Sequence, residues 1–129
     1  MKHSTILSTG KYPIVEFDKL NDKITFWGSS VELYPETFYQ KVTHELLHHI
    51  TTTNWRQITI ELNFSILNTR SFRELVNLFK NVSEQNIDLT KINVRWVYEA
   101  EDEDMLELGE DLFQLFPRIK IVYVENNHN

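Results

Sequence analysis

Between residues 58 and 79 a strand pattern passes directly into a helical pattern, and this transition constrains the fold more than any other feature. The first part alternates apolar with polar side chains, as in a strand with one buried face. Its apolar positions are Ile58, Ile60, Leu62, Phe64 and Ile66. The second part carries apolar residues at helical spacing, namely Phe72, Leu75, Val76, Phe79 and Val82. We therefore predict a strand followed at once by an amphipathic helix.

The junction between these two elements contains two hydroxyl groups, those of Thr69 and Ser71. Ser71 followed three residues later by Glu74 has the spacing of a capping box, which predicts Ser71 as the helix N-cap. Thr69 is then expected just outside the helix, in the connecting loop. Local chemistry alone favours turn and cap roles for both hydroxyls. A phosphate on Thr69 would nevertheless meet the positive end of the helix dipole, with Arg70 and Arg73 beside it.

The rest of the chain extends this pattern on both sides. Strands are predicted over 12–18 and 23–28, joined as a hairpin by Asn21 and Asp22, and a helix begins at Pro35. A strand at 92–98, a helix stopped by Pro117 and a strand at 119–124 complete the order β-β-α-β-α-β-α-β. Strands joined through helices are expected to be parallel. We predict an α/β fold, a mixed sheet of about five strands with packed helices, in one domain over 1–129 with short polar tails and a core at about 12–125.

The helices show which side should face the sheet. The apolar side of the first is expected to comprise Phe38, Tyr39, Val42, Leu46, His49 and Ile50. That of the last is expected to comprise Met105, Leu108, Leu112, Leu115 and Phe116. Gly109 falls on the same side, where a missing side chain lets helix and sheet backbones approach closely.

Composition restricts the possible functions. The chain has 13 Lys+Arg against 19 Asp+Glu, a formal charge of −6, which argues against nucleic acid or an anionic membrane as the main ligand and favours a basic partner surface. Cysteine is absent, so disulfides and thiolate chemistry are excluded. No apolar run has the length of a membrane span or of a signal peptide. We therefore expect a cytoplasmic protein.

One motif suggests enzymatic chemistry. His44, Glu45 and His48 match H-E-x-x-H, in which two histidines one helical turn apart bind zinc and the glutamate acts as a base. With the apolar side of the helix centred near Val42, both histidines are expected to point into water, and no third protein ligand is evident. We interpret the match as a chance surface occurrence and predict no metal. A zinc hydrolase is kept as the alternative from the enzyme class.

An acidic run over 99–111 carries eight carboxylates. It lacks the spacing and turn glycine of a calcium-binding loop. Carboxylates stabilise the positive end of a helix dipole, so a solvated helix start is the favoured interpretation. Glu101, Asp102, Glu103 and Asp104 also form a possible docking surface for a basic partner.

The same region carries a resemblance to a known family. Residues 94–111, VRWVYEAEDEDMLELGED, resemble the W-x-Y-E-x-x-D-E-D-M-x-E-x-G-E-D signature of the SiaC family of bacterial regulatory phosphoproteins, which are similar in fold to STAS-type anti-sigma-factor antagonists. Residues 13–18, 28–30 and 38–39 follow the family's order and approximate spacing, so the resemblance covers about 12–116. The junction resembles the family's N-T-S-S-S-K-x-L, in which Thr69 takes the place of the regulatory threonine. Arg70, Phe72 and Arg73 depart from that pattern, and residues 28–34, GSSVELY, stand where the family has G-R-S-x-P-E-N.

The resemblance implies a protein that catalyses nothing, needs no cofactor and switches partners. A dedicated kinase would phosphorylate Thr69, with Ser71 as second choice, and a serine/threonine phosphatase would remove the phosphate. The unmodified protein, expected to be a monomer when free, would bind and activate a diguanylate cyclase. Asn68, Arg70, Ser71 and Arg73 are expected to shape the loop or contact partners. The alternative within the binding class is a constitutive adaptor that has lost the switch.

Overall fold

The strand and helix patterns of the sequence form one mixed sheet with helices packed against it. The computed structural model describes residues 4–6 and 11–126, with side chains from residue 11 onward. The predicted tails fall largely on 1–3, 7–10 and 127–129, which lie outside the described residues. The strands are β1 Ser4–Ile6, β2 Ile14–Asp18, β3 Lys23–Ser30, β4 Ile58–Leu67, β5 Ile92–Glu99 and β6 Lys120–Asn126. The α-helices are α1 Glu36–Thr52, α2 Thr69–Ser83 and α3 Glu103–Gln114, and a 3-10 turn covers Leu89–Lys91.

The sheet has the strand order β1-β2-β3-β4-β5-β6. β2 pairs antiparallel with both β1 and β3, which confirms the predicted hairpin. The pairs β3–β4, β4–β5 and β5–β6 are parallel, as expected for strands joined through helices. The predicted fold class is confirmed, and the short strand β1 is an addition that the sequence pattern did not indicate.

All three helices lie on one face of the sheet, because successive right-handed crossovers that move in one direction leave their helices on the same side. The core between the layers contains the alternate residues of β4, Ile58, Ile60, Leu62 and Phe64, all buried. On α1 the buried residues are Tyr39, Val42, Leu46, His49 and Ile50, as predicted. Because β3, β4 and β5 are parallel, the β3–α1 loop, the β4–α2 junction and the β5–α3 loop lie together at the edge of the sheet formed by the carboxyl ends of these strands.

An irregularity in β4 alters that edge. The register between β3 and β4 shifts after Gly28, so that Gly28 pairs with Phe64 whereas Ser29 pairs with Ile66. Ser65 is the extra residue of the resulting bulge, and beyond it the alternation of faces is lost. Ile66, expected in the core, is consequently 56% exposed beside the start of α2.

Candidate functional site

The β4–α2 junction is built around Asn68 rather than Ser71. Asn68 is the N-cap of α2, and its side-chain oxygen accepts a hydrogen bond of 2.9 Å from the backbone N–H of Ser71. Its side-chain N–H donates to the carbonyl of Glu32 at 3.0 Å, and its backbone N–H donates to the carbonyl of Ser30. One residue therefore caps the helix and ties it to the β3–α1 loop. The prediction that Ser71 caps the helix is wrong.

Ser71 instead lies in the core as the third residue of α2. Its side chain is completely buried, and its hydroxyl accepts a hydrogen bond of 2.8 Å from the hydroxyl of Ser30. The Ser30 hydroxyl also lies 2.6 Å from that of Tyr39 on α1. A protein kinase cannot reach a hydroxyl in this position without unfolding the first turn of α2.

The position of Thr69 differs from the predicted one, which was in the loop before α2. Thr69 is the first residue of α2 rather than part of a loop, and its side chain is exposed. The backbone N–H groups of a helix's first residues have no acceptor within the helix. A negative group on the Thr69 hydroxyl would thus lie at the positive end of a 15-residue helix.

The β3–α1 loop beside Thr69 exposes large apolar side chains. Val31, Leu33 and Tyr34 are 38%, 57% and 65% exposed, and the exposed Ile66 pairs with Ser29, two residues before Val31. We call Val31, Leu33, Tyr34 and Ile66 the edge patch. Large apolar side chains exposed close together in this way are typical of surfaces that bind other proteins.

The two arginines of the junction have different surroundings. The guanidinium carbon of Arg70 lies 5.3 Å from the centre of the Tyr34 ring, within cation–π distance, and its Nη1 is 3.9 Å from Oε1 of Glu36. Arg73 is exposed, and no ion pair joins it to another described residue. Burial and the charge of Glu36 raise the pKa of the adjacent Glu74, and a hydrogen bond from Asn77 and the charge of Arg73 offset part of this rise.

The acidic residues lie at the same edge, where β5 leads into α3. Asp102 is the N-cap of α3, and its Oδ1 accepts a hydrogen bond of 3.0 Å from the backbone N–H of Met105. Glu101, Glu103 and Asp104 are exposed. Asp102 therefore has a structural role, and the other three carboxylates face solvent.

The H-E-x-x-H residues lie on the outer part of α1. His44 and His48 are exposed, as predicted, and their parallel rings are 6.5 Å apart. His44 also borders a shallow cleft between α1 and α2 that includes Glu74 and Asn77, which the sequence did not predict. Within residues 4–6 and 11–126, no group of three or more histidine, aspartate or glutamate side chains is arranged to hold a metal ion. Nor does any described helix have the length and apolarity needed to cross a membrane.

The fold and its junction define the class of protein as a small α/β domain with an open sheet and helices on one face. Residues 6–126 match the model of the SiaC family regulatory phosphoprotein, so the chain belongs to the SiaC family. This finding confirms the resemblance based on residues 94–111. The family is one of regulatory proteins.

Solved structures from Pseudomonas aeruginosa share the fold. A chain in the crystal structure of the diguanylate cyclase SiaD in complex with its activator SiaC matches with a TM-score of 0.84 at 17% identity, covering 95% of this chain and 99% of that one. Apo-SiaC matches with a TM-score of 0.72 at 16% identity over 98% and 100% of the two chains. A further SiaC structure gives 0.75 at 17% identity over 99% and 100%. No curated protein sequence matches the chain.

Proposed function

We propose that this protein is a non-enzymatic, cytoplasmic partner switch whose state is set by phosphorylation of Thr69. The observation that carries the proposal is the position of Thr69, exposed at the first residue of α2 and next to the edge patch. In the unmodified state the patch binds an effector. A diguanylate cyclase is the effector class that we propose, because a SiaC chain of the same fold occurs in complex with one.

The modification is a phosphoryl transfer. The Thr69 oxygen forms a bond to the terminal phosphorus of a nucleoside triphosphate held by a kinase, the bond to the diphosphate breaks, and the hydroxyl proton passes to the kinase. A serine/threonine phosphatase restores the hydroxyl with water and releases inorganic phosphate. The phosphate adds a charge of about −1.5 to −2. An apolar partner surface that covered the patch would then have to desolvate this charge, which weakens the complex.

The exposed carboxylates where β5 leads into α3 extend the surface. Glu101, Glu103 and Asp104 lie on the same edge of the sheet as Thr69, since β4 and β5 are parallel neighbours. We propose that they meet basic side chains of the effector at the rim of the contact. Charges at a rim act mainly on the association rate and its salt dependence.

The test combines intact-mass measurement with effector binding. We expect the cognate kinase to add one phosphoryl group to the wild-type protein and none to Thr69→Ala. Thr69→Glu should lower the affinity for the cyclase by at least about tenfold, equivalent to about 1.4 kcal/mol, whereas Thr69→Ala should retain binding. The readouts are the mass spectrum and a binding isotherm.

Thr52→Ala is the matched control, because Thr52 is an exposed threonine at the opposite end of α1. It should be modified and should bind as the wild type does. Phosphorylation of Thr69→Ala to the same extent as the wild type would contradict the site. A cyclase that binds the wild type and Thr69→Glu equally would instead support a constitutive adaptor.

A further inference from the structure

Two arginines flank the proposed phosphorylation site, and their contacts assign them separate tasks. Arg70 is already engaged by the β3–α1 loop, through the Tyr34 ring at 5.3 Å and Glu36 at 3.9 Å. Arg73 has no ion pair with the part of the chain that the structure describes, its side chain is exposed, and its charge acts on the neighbouring Glu74 only enough to lower the pKa of that carboxyl in part. Arg73 is therefore the arginine that can take up a new charge without breaking a contact.

Helix geometry favours the same residue. Side chains four apart on a helix lie one above the other, whereas adjacent residues point in different directions. Thr69 and Arg73 are four apart within α2, and the negative member would be the N-terminal one, which is the more favourable order. Arg70 is adjacent to Thr69 and points towards Tyr34 instead.

We propose that Arg73 binds the phosphate carried by Thr69, while Arg70 holds Tyr34 and the β3–α1 loop in the shape that presents the edge patch. This inference rests on the proposed function and adds the residues through which it operates. Guanidinium groups pair well with phosphate oxygens, which suits Arg73 to the first task. They also stack on aromatic faces, which suits Arg70 to the second.

The division of tasks matters because Tyr34 has little else to hold it. Its side chain is 65% exposed, and the loop is tied to the rest of the protein mainly through its backbone. The ties are the hydrogen bond from Asn68 to the carbonyl of Glu32 and those from the N–H groups of Val31 and Glu32 to the carbonyl of Lys11. Arg70 thus sets the position of Tyr34, the aromatic member of the edge patch.

The experiment uses the full chain with phosphoserine placed at position 69 during translation, so that it requires neither kinase nor effector. The first readout is the midpoint of the phosphate's ³¹P NMR titration, which a nearby guanidinium lowers. We expect Arg73→Gln to shift this midpoint upwards and Arg70→Gln to leave it unchanged. The second readout is the set of backbone amide shifts of residues 31–36 in the unmodified protein. We expect Arg70→Gln to change these shifts and Arg73→Gln to leave them in place.

Lys80→Gln is the matched control, since Lys80 is an exposed cation in the last turn of the same helix, and it should alter neither readout. The proposal is overturned if Arg73→Gln leaves the ³¹P midpoint unchanged or if Arg70→Gln leaves the loop shifts unchanged. It is also overturned if phosphoserine at 69 moves the loop shifts of the wild type but not those of Arg70→Gln, because Arg70 would then have moved to the phosphate. Failure of the proposed function would show in a separate experiment, as the absence of Thr69 phosphorylation by the cognate kinase.

Discussion

Three buried hydroxyl groups meet beneath the first turn of α2. Ser30 ends β3, Tyr39 lies on α1 and Ser71 lies on α2, and Ser30 joins the other two by hydrogen bonds of 2.6 and 2.8 Å. Each of the three residues is at most 1% exposed. A hydroxyl in an apolar core is tolerated only when it is hydrogen-bonded, so the three side chains stabilise one another's burial. The cluster fixes the turn that carries Thr69 to both neighbouring elements.

The Tyr39 hydroxyl makes stability sensitive to alkaline pH. Burial raises the pKa of Tyr39 well above its usual value of 10.0, an effect that hydrogen bonding with Ser30 and Ser71 only partly offsets and that the charge of Glu74 increases. The native state therefore retains a proton that the unfolded chain loses. The contribution of Tyr39 to the free energy of unfolding is fully present below about pH 10. It falls as the pH rises further, by up to about 1.4 kcal/mol per pH unit.

We expect Tyr39→Phe to lose about 1 kcal/mol at pH 7 and to show a shallower decline in stability above pH 10 than the wild type. Urea unfolding from neutral to alkaline pH measures both effects. Some decline should persist, because burial also raises the pKa of Tyr123. Tyr34→Phe, at an exposed tyrosine, is the control and should follow the wild-type curve. Parallel alkaline curves for the wild type and Tyr39→Phe would contradict this account.

At the scale of the element, the start of α2 shows where sequence reasoning succeeded and where it failed. A helix beginning within residues 68–71 was predictable from the change of apolar period. Its first residue was not, because Asn68 and Ser71 are both good N-caps and only the tertiary structure decides between them. The Ser71 side chain points into the core because it finds hydrogen-bond partners there in the hydroxyls of Ser30 and Tyr39. These two residues precede it by 41 and 32 positions in the sequence. Pattern within one element contains no information about such partners.

The C-terminal end of α3 also differs from what the sequence pattern predicted. Leu115, expected on the apolar side of α3, is 59% exposed, whereas Phe113 is 4% exposed. The helix ends at Gln114, so Leu115 is no longer subject to helical spacing. By contrast, tight packing at Gly109 is confirmed, since a Cβ there would lie 2.6 Å from Nε1 of Trp96, although the close neighbour is a side chain of β5 and not the sheet backbone that was predicted.

Gly109→Ala should therefore destabilise the protein despite the better helix propensity of alanine. Trp96 is 1% exposed and its Nε1 donates a hydrogen bond of 2.9 Å to the carbonyl of Met105, so the indole cannot withdraw. Overpacking of this kind costs about 1–3 kcal/mol. Chemical denaturation measures the loss, and Glu107→Ala, on the exposed side of α3, should change stability by less than about 0.5 kcal/mol. An alanine at 109 that stabilises the protein would show that α3 can move away from β5.

For the whole molecule, the order of elements and the parallel pairing of β3 to β6 were predictable because they depend on period and connection alone. The six-strand count and the edge patch were not. β1 has three residues, too few for a pattern, and the edge patch depends on a bulge that only the pairing of β3 with β4 reveals. The family resemblance located Thr69, yet the surface around it is visible only in three dimensions.

The sheet predicts a gradient of stability across the molecule. β4 lies between two parallel partners and buries Ile58, Ile60, Leu62 and Phe64, whereas β6 has one partner in the described chain and alternates between exposed and half-buried residues. Segments with few buried contacts open locally, and central strands exchange only when the whole domain unfolds. We expect the amides of Ile60 and Leu62 to exchange with the free energy of global unfolding and the hydrogen-bonded amides of β6 to exchange faster. Native-state hydrogen exchange at low denaturant measures both, and equal protection of β4 and β6 would show that β6 belongs to the same cooperative unit.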